Sequence, residues 1–357
     1  MPKLRRSARA LAVRGDRIIM GGCGDSYYSA IAVSGIFGLC GVPFVPKTSL
    51  EIEQFCALGA SDLVVLASVS GTTQRTLKAA KKATKQGART LAITCDPRSA
   101  LADVCDETLL LPYRPMSRRT PHTLDYMVTL LAQVVVLEHW ARTHVQVLDD
   151  LPGLLQTTIE RTARVVNKLS QVQGQGAGYF FLGAGEHMGT AMYGSAKFHE
   201  AGGLFAAFSE AENFWHGMNF TVQQGSWITV FGNGREQPEV EQLLVATLAE
   251  LTPNLLYVGS GMVDAPYQVV PPATDEVTTP FVYAIAPQIL CHSAATRLGL
   301  RTNASPARGG ALEPQQRAQA SWLTQHVPAA QKGAVGGSTA NARRAQLETE
   351  VSDCLDE

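Results

Sequence analysis

The sequence carries little charge and almost no excess of either sign. Charged residues make up 17%, with 30 basic against 31 acidic, for a formal net charge of −1. That excludes a broadly basic nucleic-acid surface and a polybasic membrane-binding face. With 45% hydrophobic residues it also excludes a highly charged disordered chain. No apolar run reaches the roughly 18–20 residues a spanning helix needs; the segment 126–137 is too short, and Gln133 interrupts it. The N-terminal MPKLRRSARALAV is basic but has no apolar core with a cleavage site, so secretion is not expected. The seven cysteines are odd in number and include no C-x-x-C pair, and the eight histidines show no H-x-x-x-H or H-E-x-x-H spacing. No disulfide framework, metal site or cofactor is expected, and the thiols read as those of a chain in a reducing cytoplasm.

What is present is a repeated alternation of strand and helix. Residues 17–23 (RIIMGGC) read as a strand running into a small-residue helix over 26–40. A short strand at 43–45 and a helical patch near 50–58 follow. DLVVLAS (62–68) is a continuous apolar run, as a strand buried on both faces should be. A helix over 72–86, with Lys78, Lys81, Lys82 and Lys85 on a solvated face, leads to strands at 89–94 and 107–113 and a long helix over 122–145. The pattern restarts with an amphipathic helix over 151–171 and the strand–glycine-loop–helix unit GYFFLGAGEHMG (178–189). Further strands are expected at SWITVFG, 254–259 and 266–270, and a helix at 286–299. Such alternation predicts an α/β fold of two doubly wound parallel-sheet domains in tandem, 1–150 and 151–302, with a weakly ordered tail over 303–357. Gly22 and Gly24 match Gly183 and Gly185 at an offset of 161, and the same offset places Gly71 on Gly232, which points to an internal duplication.

Two loops of the first half carry chemistry. Gly24–Asp25–Ser26 follows the first strand at a helix N-terminus, where backbone N–H groups and the helix dipole favour an anion. Ser68–Val69–Ser70–Gly71–Thr72–Thr73 places four hydroxyls and a glycine in the same setting, suited to a phosphate monoester. In an open parallel sheet both loops lie at the carboxyl ends of strands. Each alone also reads as an ordinary N-cap or tight turn; together they favour a phosphate site. Asp25 is the awkward member, because a carboxylate repels a phosphate unless it points away, caps the helix or meets a sugar hydroxyl. The second half replaces these loops by Gly185–Glu186–His187 and Phe231–Gly232–Asn233–Gly234, so the phosphate chemistry belongs to the first half. Gly183–Ala184–Gly185 is only a fragment of a dinucleotide fingerprint, with no acidic residue in a ribose-binding position after it.

These segments resemble the sugar isomerase (SIS) domain family, in two copies. GCGDSYYSA (22–30), SVSGTTQRTLKAAKKA (68–83), GARTLAIT (87–94), S-x-L-A-D (99–103) and TLDY (123–126) carry the resemblance in the first half. In the second, YFFLGAGEHMGTAMYGSAKFHEAGGLFAAFSEAENFWHG (179–217) looks like the isomerase part of glucosamine-fructose-6-phosphate aminotransferase and of related sugar-phosphate deaminases and deglycases. There, a K-x-x-E helix precedes a loop ending in histidine–glycine. The resemblance implies that Ser26, Ser68, Ser70 and Thr73, with Gly24, Asp25, Gly71 and Thr123, bind the phosphosugar, Asp25 standing where a threonine is usual. It implies Glu200 as the general base and His216 as the group that opens the sugar ring, often donated by the partner of a homodimer.

Chemistry agrees with those roles. Moving a proton between C1 and C2 of a sugar phosphate needs a carboxylate tuned by partial burial, and ring opening needs a group that titrates near neutrality. The residues alone also permit a solvated helix-end glutamate and a hydrogen-bonded core histidine. Two departures bear on mechanism: Tyr193 replaces a family glutamate, and NASPARGGAL (303–312) lacks the lysine that forms an imine in aminotransferase-type members. The expectation is an enzyme that isomerises, deaminates or deglycates a sugar phosphate or amino-sugar phosphate. The alternative is a non-catalytic phosphosugar sensor. Neither nucleic acid nor membrane is an expected partner, and a cytoplasmic location is expected.

Overall fold

The computed structural model describes residues 2–12, 14–115, 123–170, 178–232, 238–273 and 275–300. The expected tail, Asn233–Gly234 and NASPARGGAL lie outside the described residues. The chain opens with α1 (Pro2–Arg9) and builds its first sheet through β1 (Arg17–Gly22), α2 (Asp25–Ala32), α3 (Ser34–Leu39), β2 (Phe44–Thr48), α4 (Ser49–Gln54), β3 (Asp62–Ala67), α5 (Gln74–Lys85), β4 (Arg89–Thr94), α6 (Ala100–Val104), β5 (Glu107–Leu110) and α7 (Thr123–Ala141). After α8 (Leu151–Ser170) the second sheet follows with β6 (Tyr179–Gly183), α9 (His187–Gly202), β7 (Ala206–Glu210), α10 (Ala211–Phe214), β8 (Trp227–Phe231), α11 (Pro238–Leu251), β9 (Leu255–Val258), β10 (Tyr267–Val269), α12 (Thr279–Val282) and α13 (Ile285–Arg297).

The strands are apolar on both sides because helices cover both faces of each sheet. In β3 every residue is buried; Leu63, Val65 and Ala67 enter the core on one face, Val64 and Leu66 the core on the other. In β6, Tyr179 and Phe181 face one core while Phe180 and Leu182 face the opposite one. The sheet orders are β2-β1-β3-β4-β5 and β7-β6-β8-β9-β10, all parallel. Strand for strand this is one topology used twice, and in each sheet the order reverses beside the first strand, the place where doubly wound sheets bind ligands.

The duplication is real in topology, but a single offset does not carry it. Gly24 and Gly185 share a left-handed φ, 53° and 54°, at the offset of 161. Gly71 is also left-handed (φ 65°). Gly232 is instead the residue straight after β8, its N–H bonded to Val258 O, as Ser68 N–H is bonded to Ile93 O straight after β3. Gly232 is therefore the counterpart of Ser68, not of Gly71, and the second half has gained three residues between β6 and β8.

Several element limits differ from the sequence expectation for local reasons. The helix over 26–40 divides at Val33, where Ser34 Oγ turns back to Ile31 O, and Gly35 and Gly38 weaken the second piece. The long helix ends at Ala141, before Arg142 with its φ of 51°. β7 gave no sequence signal because AAFSE has no β-branched residue; pairing to β6 makes it a strand. Lys82 leaves the solvated face of α5 and donates to Ile52 O (3.0 Å) and Cys56 O (2.7 Å) at the end of α4.

The two halves meet where α2 packs against α9, antiparallel. Asp25 lies beside Lys197, Tyr28 and Ala32 beside Gly189, and Gly35 beside Glu186. A Cβ at Gly189 would stand 2.4 Å from both Tyr28 O and Ala32 N, so the approach requires glycine. Since α2 starts at the carboxyl end of β1, antiparallel packing carries the C-terminal turn of α9 to the carboxyl ends of the first sheet. In an exposed helix, glycine to alanine stabilises by about 1 kcal/mol. Here Gly189→Ala is expected to destabilise by about 1–3 kcal/mol through overpacking against backbone, read as a lowered urea midpoint.

Candidate active site

β1 and β3 run side by side and end level, with Gly22 opposite Ala67. The loops that follow them are thereby neighbours. A Cβ on Gly22 would meet Ser26 Cβ at 2.4 Å and Ala67 O at 2.6 Å, so Ser26 sits over the ends of both strands because residue 22 has no side chain. Ser26 O accepts from Ser29 Oγ (3.1 Å) and Gln133 Nε2 (3.4 Å), which holds the turn. In the second loop, Ser68 Oγ lies 3.0 Å from Thr73 Oγ1 and accepts from Gly71 N–H at 3.2 Å; Ser70 Oγ lies 2.9 Å from Thr72 Oγ1. Gly71 O accepts from Leu101 N–H, and a Cβ on Gly71 would lie 2.1 Å from Ser99 Oγ, so the loop is seated tightly on the start of α6. Thr73 makes no side-chain cap to α5, and Gly24 has none to give α2. Two helix N-termini, with serine and threonine hydroxyls on the loops before them, thus follow the level ends of two neighbouring strands, a setting in which an anion can be held. Thr123 is exposed at the first position of α7, and among the described residues no hydrogen bond ties it to either loop.

The second half contributes an ionic cluster that sequence reading had not assembled. Lys197 is 1% exposed, yet its Nζ donates to Asp25 Oδ2 at 2.8 Å and Glu200 Oε2 at 2.5 Å. It lies over the Tyr193 ring at 5.2 Å, a favourable position for a cation. Tyr193 stacks on Tyr126 at 3.7 Å, and its hydroxyl accepts from Gln288 Nε2 at 3.1 Å. The residue that replaces a family glutamate is therefore a packing element joining α9, α7 and α13. Burial pulls the Lys197 ammonium down, but the charges and hydrogen bonds of Asp25 and Glu200 outweigh it and hold its pKa above the ordinary 10.5. Burial pushes the Tyr126 and Tyr193 phenols well above their usual range, so both stay neutral.

Asp25 thus resolves its own difficulty: one carboxylate oxygen is committed to Lys197. Glu200 stands in the last turns of α9, which Gly203 closes with a left-handed φ of 64°. The signal for Lys197 was present in K-x-x-E, since residues three and four apart share a helix face, and Gly189, Tyr193 and Lys197 form one such stripe.

His216 is placed elsewhere. Phe198 of α9 packs with Tyr179 and Phe181 on one face of the second sheet, whereas Phe214, two residues before His216, packs with Phe180 on the other. Phe198, two residues before Glu200, and Phe214, two residues before His216, thus lie on opposite faces of the second sheet within one chain. His216 is 72% exposed, with Glu212 Oε1 at 3.7 Å, and is no core histidine. Among the described residues no group of three or more His, Cys, Asp or Glu is placed to hold a metal, and no helix is long and apolar enough to cross a membrane.

Two doubly wound parallel sheets, joined where α9 of the second half packs on α2 of the first, define a class of tandem α/β proteins. The SIS-domain pattern matches residues 11–139 and 178–257, and the chain belongs to the SIS-domain family. A glutamine–fructose-6-phosphate aminotransferase (isomerizing) of Pyrobaculum aerophilum is 26% identical over 304 residues, covering 81% of this chain and 50% of that protein; the chain spans only half the length of this curated relative. In fold, the chain is similar to the C-terminal domain of glucosamine-fructose-6-phosphate aminotransferase from Francisella tularensis (TM-score 0.71, 18% identity, covering 84% of this chain and 88% of that one). It is also similar to a glucosamine-6-phosphate deaminase from Thermotoga maritima (TM-score 0.70, 22% identity, 86% and 95%).

Because the folded Lys197 pKa lies above that of a free lysine, its ion pairs stabilise the fold fully below about pH 10.5, and that stabilisation is lost as pH rises through the folded value. Lys197→Met is expected to cost about 1–3 kcal/mol near neutral pH, with the gap in urea midpoint from wild type closing on the alkaline side of pH 10.5.

Proposed function

We propose that the protein processes a phosphosugar, a sugar phosphate or amino-sugar phosphate, by proton transfer at the carbons next to its carbonyl end. The observation that carries this reading is the antiparallel seating of α9 on α2. It sets Glu200, through Lys197, beside the helix start that also bears Ser26 and adjoins the Ser68–Thr73 loop. An anchored phosphate and a carboxylate base on one side of the anchor are the two parts that an enediol or enamine route requires. The hydroxyls of Ser26, Ser68, Ser70 and Thr73 and the helix N-termini hold the phosphate. Glu200 removes the proton from one carbon and returns it to the next. Lys197, sealed from solvent, acts on the reaction by orienting Glu200.

His216 enters from a second chain in this reading. It lies beyond the edge strand β7, where Phe205 and Phe220 are exposed apolar residues suited to a homodimer contact. Each site would then combine Glu200 of one chain with His216 of the other, so the ring-opening group and the base come from different chains.

A panel of hexose, hexosamine and fructosamine phosphates followed by NMR tests the reading. One member is expected to be converted; saturable binding without conversion of any member would make the chain a phosphosugar sensor instead. Glu200→Gln is expected to lower turnover of that member by at least about 100-fold while leaving its binding intact. Mixing Glu200→Gln with His216→Ala, each inactive alone, is expected to restore activity in mixed dimers up to a quarter of wild type. No recovery from dimers shown to have exchanged subunits would place both groups in one chain.

A further inference from the structure

We infer that Asp25 is a positioning residue for the base: it fixes Lys197 across the junction of the two halves, and Lys197 in turn fixes Glu200. The inference rests on the reading of Glu200 as the base. Its geometry is direct. Asp25 is the first residue of α2, contiguous with the phosphate-binding Ser26, and its Oδ2 is 2.8 Å from an ammonium that is 1% exposed. The same ammonium is 2.5 Å from Glu200 Oε2. A buried ammonium must spend its N–H donors on partners, and here two of them run to carboxylates on different helices, one at each end of a chain of contacts from phosphate loop to base.

Removing the charge of Asp25 while keeping its shape leaves Lys197 with one carboxylate and the same burial. Its side chain is then free to follow Glu200, and the base loses its register with the phosphate. The groups that face Lys197 are Asp25 and Tyr28 from α2, Tyr193 and Glu200 from α9 itself, and Cys291 from α13, whose Sγ lies 3.1 Å from Lys197 O. Of these, Asp25 and Glu200 are the carboxylates. Burial lowers the Lys197 pKa and the two carboxylates raise it, so loss of one must lower the pH at which the ammonium is given up.

The test uses the full chain as wild type, Asp25→Asn, Asp25→Glu and Asp25→Thr, with folding checked by thermal melts; Asp25→Thr serves if Asp25→Asn does not fold. Two readouts are taken. The first is the pH profile of kcat/KM for the phosphosugar that the wild type converts, beside the Kd for inorganic phosphate. The second is an NMR titration of the Lys197 side chain in protein labelled at lysine ε-nitrogen, assigned with Lys197→Arg. Asp25→Asn is expected to lower kcat/KM by about 10–100-fold, to move its alkaline limb and the Lys197 titration to lower pH together, and to leave the phosphate Kd within about twofold. Asp25→Glu is expected to bring the alkaline limb back. A merely structural Asp25 would lower stability, and could move the Lys197 titration, without moving the alkaline limb of kcat/KM. Normal turnover of Asp25→Asn with an unmoved alkaline limb would overturn the inference and leave the functional reading standing. An Asp25-dependent Lys197 titration in a protein that neither binds nor converts any phosphosugar would overturn the functional reading and uphold the tie.

Discussion

Gly189 lies against the backbone of Tyr28 and Ala32, and the site depends on that contact. A side chain there would push α9 away from α2, and every residue that α9 brings to the first half would retreat with it. Because the helices run antiparallel, the contact sets a register: Gly189 in the first turn of α9 places Lys197 two turns further on at the first residue of α2. It also places the negative end of the α9 dipole against the positive end of α2, a favourable alignment. The core reinforces the junction, since Tyr193, Phe281 and Ala284 of the second half enter the cluster built on the first sheet.

Charge is used sparingly and in two distinct ways. The proposed anion cradle is made of hydroxyls and backbone N–H groups, which would hold a phosphate without adding a fixed cation to the surface. That is why a net charge near zero conceals it. The ionic cluster beside it is buried instead, and buried ion pairs rarely add net stability because desolvation consumes most of the Coulomb gain. The use that fits Lys197 is geometric: a cation between two carboxylates from different helices holds a distance that apolar packing would leave loose.

Much of the architecture was legible in the sequence for a physical reason. Strands of a doubly wound sheet are covered on both faces, so they read as largely apolar runs, as LVVLA of β3 and YFFLG of β6 do. Glycine at a left-handed position is equally legible, as at Gly24 and Gly185. β7 was invisible because an edge strand of small residues depends on its neighbour rather than on its own propensity. The matching of Gly71 with Gly232 misled because glycine serves several purposes: the first occupies a left-handed turn, the second leaves room for Tyr257 and Glu241.

The sequence by itself determined the strand–helix alternation, the hydroxyl loops and the pairing of Lys197 with Glu200 on one helix face, because these depend on periodicity and on residues a few positions apart. Tertiary structure alone decided which oxygen Asp25 commits to Lys197, that Tyr193 packs instead of titrating, and that Phe198 and Phe214 lie on opposite faces of the second sheet. Those outcomes depend on how the two halves are packed together, with Asp25 and Lys197 172 residues apart in the chain. A side-chain contact across that separation is settled by helix packing and register, for which no local pattern in the chain is a proxy.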